Sequence, residues 1–276
     1  MLHKLIHSLL KLIGIFICVG ILLSFLLAAI PDQYAEGTYF QKTFRHIQTL
    51  FTLSFMDKTY SGYDMQTLLW DRSSKSFILI FGAVLFICLA GIPTGYFAAR
   101  YKHHKWIQHW VGLLYSLSAV PILVWGLLLH LMTVRLFSKL LSYDALETNS
   151  FFWKVMIYLL PILALSLGDG ILSDVIRHVR EELSKIFEQD YIKVLKARGL
   201  SEFKYVFKAL IAPAVAVISG KIAYLVGGTV VVEYLFNWKG LGYQVLSAIN
   251  PTGNKDYEFV IAATLVLVLI ILTLQF

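Results

Sequence analysis

Long apolar runs alternate with shorter polar stretches along this chain. The runs fall at about 9–30, 77–98, 107–134, 152–176, 210–235 and 259–276. Each is long enough, coiled as a helix, to cross a hydrocarbon layer about 30 Å thick, which takes about 20 apolar residues. Lipid offers the backbone no hydrogen-bond partners, so a spanning segment must satisfy its own amides, as a helix does. The pattern therefore predicts an all-α, polytopic transmembrane bundle of about six spans, forming one domain over residues 1–276. Pro121, inside the third run, predicts a kink there.

The polar stretches set the expected topology. The first run has a basic start with Lys4 and Lys11 and is longer than the 7–15 apolar residues of a signal peptide, and Ala28-Ala29-Ile30-Pro31 is a poor cleavage site. A retained first helix with a cytoplasmic N-terminus is expected. Residues 32–76 mix both charge signs and carry Tyr34, Tyr39, Phe40, Phe51 and Phe55, which suits an extracytoplasmic segment at a membrane surface. The corner Arg100, Lys102, His103, His104, Lys105 is strongly basic, and 177–208 is the longest polar stretch after it. Six spans place both on the cytoplasmic side, together with both termini, as the positive-inside rule requires.

Composition agrees with this. The 276 residues are 58% hydrophobic and only 15% charged, too little polar surface to clothe a soluble core of this length. The net charge of +7 is carried by loops between apolar runs, without the basic, aromatic-interleaved patch of a nucleic-acid binder. Cys18 and Cys88 lie within apolar runs and read as packing residues. No P-loop occurs, since Gly220-Lys221 is followed by Ile222 and lacks the earlier glycine, so any ATPase is expected on another chain. Metal-spaced cysteines and H-E-x-x-H are also absent, so no cofactor, metal or catalytic residue is expected.

Residues 177–208 carry the functional argument. They read as helical, with Leu183, Ile186, Ile192, Val194 and Leu195 spaced among charges. Counting from Asp174, eight Lys and Arg face six acidic residues, a mixture that favours a specific protein contact over purely electrostatic lipid binding. Within the stretch, Gln189-Asp190-Tyr191-Ile192-Lys193-Val194-Leu195-Lys196-Ala197-Arg198-Gly199-Leu200-Ser201-Glu202 resembles the EAA loop of binding-protein-dependent ABC importer permeases, in their dipeptide, oligopeptide and nickel branch. Arg177 and Arg180 match two arginines upstream of that loop. Gly227-Gly228-Thr229-Val230-Val231-Val232-Glu233-Tyr234-Leu235-Phe236-Asn237-Trp238-Lys239-Gly240-Leu241-Gly242 resembles a second family segment, and Gly91-Ile92-Pro93-Thr94-Gly95 and Ala29-Ile30-Pro31 resemble two shorter ones. Lys193-Val194-Leu195 stands where a strict Glu-Ala-Ala would sit, and the last run ends without the family's polar tail.

The resemblance implies a permease subunit in the cell membrane that forms half of a path for peptides, or alternatively for nickel or a metal chelate. It implies a second permease, two ATPases and an extracytoplasmic substrate-binding protein as partners. Asp190, Tyr191, Ala197, Arg198, Gly199, Leu200 and Ser201 would form the coupling surface for an ATPase. Gly199 suits a sharp turn there, or an ordinary helix end. Gly227, Gly228, Glu233, Gly240 and Gly242 would be structural or gate-adjacent, with Glu233 near the outer end of its helix. Gly91 and Gly95 fit either a small-residue helix contact or a turn. A secondary transporter or channel, or a membrane scaffold subunit, are rivals of another class; the first predicts inverted repeats, and no repeat is visible.

Asp169 lies well inside the fourth apolar run and Lys221 well inside the fifth. Each costs at least about 2.5–3.5 kcal/mol near the bilayer centre unless it meets protein or water. They lie at similar depths, so they are expected to pair or to line the path together, unless Lys221 snorkels to the headgroups.

Overall fold

A computed structural model describes residues 2–28, 38–52, 62, 64–137, 151–200, 203–249 and 257–275. Every regular element among them is helical: α1 (Leu2–Ala28), α2 (Tyr39–Thr52), α3 (Met65–Arg100), α4 (Lys105–Ser118), α5 (Ile122–Phe137), α6 (Phe151–Leu167), a 3-10 turn (Gly168–Gly170), α7 (Ile171–Glu188), α8 (Asp190–Ala197), α9 (Phe203–Leu235), α10 (Leu241–Ile249) and α11 (Tyr257–Gln275). Among the described residues, Met65–Arg100, Phe151–Glu188 and Tyr205–Leu235 are long and apolar enough to cross a membrane. Lys105–Ser118 with Ile122–Arg135 makes a fourth if that bent pair is one span. Ile13–Leu26 and Phe259–Thr273 are shorter apolar helices.

The chain divides into two compact units, residues 1–76 with 239–276 and residues 77–238. In the first unit α1 packs on α2 and α11, and α10 on α11. The Tyr39 hydroxyl donates to the Phe25 carbonyl at 3.0 Å. Arg72 donates to the carbonyl of Lys239 at 2.9 Å, and the buried Ser76 hydroxyl accepts the Leu241 amide at 2.8 Å. These two bonds tie the start of α3 to the entry of α10. The Phe259, Ile261 and Ala263 side chains of α11 are fully buried.

The second unit holds the last two-thirds of α3 and all of α4 to α9. Its core joins Leu79, Ala83 and Ile87 of α3 to Leu165 of α6, Val175, Val179 and Leu183 of α7, Ile192 of α8 and Leu225 and Val232 of α9. Gly91 and Gly95 are helical residues of α3, not a turn. A Cβ at Gly91 would lie 3.1 Å from Val175 Cγ1, and one at Gly95 2.5 Å from Val179 Cγ1. Two glycines four apart thus seat two valines four apart, a close helix contact of the small-xxx-small kind.

Four helix boundaries differ from those the apolar runs suggest. The second helix starts at Met65 rather than near 77, because the Asp64 carboxylate accepts the Thr67 amide at 2.9 Å and Asp71 pairs with Lys75 at 2.7 Å. Caps and i,i+4 ion pairs let a helix extend beyond its apolar part. The expected kink at Pro121 is a 94° break between α4 and α5. The fourth run is broken at Gly168-Asp169-Gly170, where Asp169 and Gly170 take φ of 55° and 76°, and α7 then continues unbroken past residue 176 to Glu188. The fifth helix begins at Phe203 and carries Pro213 within it.

Candidate coupling surface and intramembrane charges

The polar stretch after the fourth run becomes two helices and an elbow. α7 buries one face, with Val175, Val179 and Leu183, and exposes Arg177, His178, Glu181, Lys185 and Glu188 on the other. At Gln189 the backbone turns extended (ψ 140°), and α8 follows. α8 is anchored by Ile192, which is fully buried in the core shared with α7. Leu195 packs partly buried against the same core, while Asp190, Tyr191, Lys193, Val194, Ala197, Arg198, Gly199 and Leu200 are exposed. Asp190 accepts a hydrogen bond from Lys193 at 2.8 Å.

Gly199 ends α8. Its φ is +69°, and the Leu200 amide reaches back to the Leu195 carbonyl at 3.1 Å. That six-to-one bond around a left-handed residue is the Schellman helix stop, and glycine takes the conformation without a Cβ penalty. The helix-end reading is therefore correct in local geometry. No atom lies within 4 Å of a Cβ built at Gly199, so the stop faces open space. Ser201 lies outside the described residues.

The intramembrane charges do not pair as expected. Lys221 of α9 bonds Asp174 of α7 at 2.5 Å, with 26% and 31% of the two side chains exposed, and its ammonium sits 5.3 Å from the Tyr224 ring centroid. Asp169 is engaged elsewhere. Its carboxylate accepts the Ile122 amide at 3.1 Å, and its own amide donates to the Val120 carbonyl at 3.2 Å. It thus caps the first turn of α5 across the Pro121 break. Ser118 supports the same joint by accepting the Ser173 amide at 3.3 Å. The break at 168–170 explains the change of partner: it turns Asp169 out of the helical path toward α5, and Asp174, five residues on, meets Lys221.

The residues near the end of α9 separate into two groups. Gly228 is packed, since a Cβ there would meet Ile122 Cδ1 at 2.8 Å, whereas Gly227 is exposed with open space around it. Glu233 is fully buried. The Trp238 amide donates to the Glu233 carbonyl at 2.8 Å and the Asn237 amide to Tyr234 at 3.3 Å, with Asn237 at φ 48°, a second Schellman stop. Trp238, fully buried, meets Tyr158 edge-on at 5.1 Å. Gly240 and Gly242 are buried residues just beyond it. Asp174 and Trp238 are the residues that reading the sequence undervalued. The Gly168-Asp169-Gly170 pair of glycines was the visible signal for the first, since it shifts the register of every charge after it.

The profile of the binding-protein-dependent transport system inner membrane component family matches residues 91–276, two-thirds of the chain. The chain belongs to that family. A Brucella suis protein bearing a peptide-permease name is 27% identical over 226 residues, covering 78% of this chain and 67% of that protein. A Brucella ovis protein with a similar name is 28% identical over 225 residues, with the same coverage. The nickel import system permease protein NikB of Staphylococcus aureus is 26% identical over 199 residues, and the match spans 70% of this chain and 55% of NikB. This family member is thus an integral-membrane permease subunit of an ABC importer, in the peptide and nickel group.

Proposed function

We propose that this permease forms half of a path for peptides and that α8 with the Gly199 stop is its contact with a separate ATPase. The observation that carries the reading is the form of the α7–α8 elbow. Ile192, fully buried, and Leu195, partly buried, fix a short helix with Asp190, Tyr191, Lys193, Val194 and the Gly199 end exposed. A surface built this way transmits force: it is rigidly joined to α7 through the core and free toward a partner. α7 in turn is joined to α9 by the Asp174–Lys221 pair and to α5 through Asp169. Movement of α8 by nucleotide-driven closure of two ATPases would shift the bundle between two access states.

The partners in this reading are a second permease, two ATPases and an extracytoplasmic binding protein. Both termini and the corners at 100–105 and 177–208 lie in the cytoplasm, with six spans in all. The exposed Gly220 and Gly227 of α9, neither with an atom within 4 Å of its Cβ position, suit close approach by a helix of the second permease. Peptide is the preferred substrate because the two Brucella proteins match more of this chain than NikB does. A nickel chelate is the second reading and rests on NikB.

The test is the reconstituted complex. Gly199→Glu should still insert and assemble, since the position faces open space and the left-handed φ of +69° costs a side chain only about 1–2 kcal/mol, yet cut binding-protein-stimulated ATP hydrolysis and peptide uptake at least about tenfold. Normal transport by that variant would remove α8 as the coupling element. Uptake of radiolabelled peptide against nickel by the wild-type complex separates the two substrates.

A further inference from the structure

The turn from α3 to α4 carries features that neither coupling nor transport uses. Residues 100–105 hold Arg100, Lys102, His103, His104 and Lys105, without an acidic residue, and all five side chains are exposed. Directly beyond them α4 presents Trp106, 83% exposed, and Trp110, 60% exposed, one helical turn apart. Between the two tryptophans and the end of α3 lies a cavity of about 440 Å³, lined by Thr94, Phe97, Trp106, Ile107, Trp110 and Val111. Its wall is almost wholly apolar, and Trp106, one of its lining residues, directly follows Lys105 in the chain.

We propose that this corner is a binding site for an anionic phospholipid, with the headgroup phosphate held by Lys102 and Lys105 and an acyl chain lying in the Phe97–Trp106–Trp110 cavity. Charge complementarity selects this occupant. A soluble polar ligand has no use for an apolar slot between two exposed tryptophans, and an apolar protein helix would leave the adjacent cations unmatched. A phospholipid supplies both parts, an anionic headgroup for the lysines and an acyl chain running along α4 past Leu113, itself exposed. Exposed tryptophans favour the same headgroup level, where their rings and N–H groups meet both phases. Glu188 lines the neighbouring cavity with Arg100 and Lys102, leaving the corner net positive. Each Lys or Arg near an anionic leaflet is worth roughly a fivefold gain in association. Anionic lipid should therefore be preferred here over a zwitterionic lipid of the same chains.

The tryptophans provide the readout. The assembled complex is placed in nanodiscs of phosphatidylcholine containing either brominated phosphatidylglycerol or brominated phosphatidylcholine. Trp106 and Trp110 quenching is obtained by subtracting the Trp106→Phe/Trp110→Phe variant. Phosphatidylglycerol should quench at a lower mole fraction than phosphatidylcholine, and its advantage should shrink as salt is raised. Lys102→Gln/Lys105→Gln should lower the relative affinity about 25-fold, while Lys154→Gln, on the exposed surface of α6, should leave it unchanged. Equal quenching by the two lipids, an unaltered preference in the double variant, or the same loss in Lys154→Gln would each overturn the site. Bound protein in place of lipid would appear as tryptophans shielded from both brominated lipids, which also refutes it.

Discussion

At the residue scale, three carboxylates of one chemical type do three different things. Asp64, exposed, accepts from both the amide and the hydroxyl of Thr67, and these bonds hold its carboxyl below the ordinary aspartate range. Its folded value is depressed, so its contribution is complete above the ordinary aspartate value and lost as pH falls through the lowered one. Amide-exchange protection of the first turn of α3 should therefore fall on acidification through that window, and Asp64→Asn should flatten the dependence. Asp174 compensates Lys221, and removing either partner leaves the other in a poor solvent. Lys221→Met alone should destabilise the chain by about 1–3 kcal/mol, less than the 3–5 of a fully buried pair because both groups retain some exposure. Asp174→Asn/Lys221→Met should recover much of that loss, as a double-mutant cycle in detergent would read. Asp169 is a cap. None of these roles followed from the charge alone; each depended on which helix turn brought a partner within reach.

At the element scale, the two broken helices brace each other at their breaks. The amide and carboxylate of Asp169 and the hydroxyl of Ser118 cross between them, and a Cβ at Gly168 would lie 2.7 Å from the Ile122 Cα. Asp169→Ala should cost about 1–2 kcal/mol, as loss of a cap does, with added strain at φ 55°. Asp169→Asn keeps both an acceptor and tolerance of the left-handed conformation and should be close to neutral; thermal unfolding of the purified permease ranks the two. The existence of the helices, those of the polar stretch 177–208 included, was legible in the sequence, because apolar runs and mixed-charge amphipathic runs follow directly from the solvent each face meets. The places where helices begin and break were not. A run of apolar residues looks the same whether continuous or interrupted, and only the glycines around Asp169 and the proline at 121 marked the interruptions. Helix starts at Met65 and Phe203 lie in polar sequence, where caps and ion pairs decide and hydropathy does not.

At the scale of the whole molecule, the 94° corner between α4 and α5 governs more than local shape. Taken separately, 14 and 16 residues at about 1.5 Å each extend only roughly 21 and 24 Å, short of a bilayer's apolar thickness. Together they either traverse it or dip and return. If they traverse it, the corner at 100–105 and the elbow at 189 share one face of the membrane. If they return, the two face opposite compartments and every downstream label inverts. A single-cysteine substitution at Lys154 probed with a membrane-impermeant maleimide reads this directly, and labelling from outside is the outcome that a traversing pair requires. Parity of the whole map is thus fixed at one proline, by whether the chain goes through at the bend or turns back.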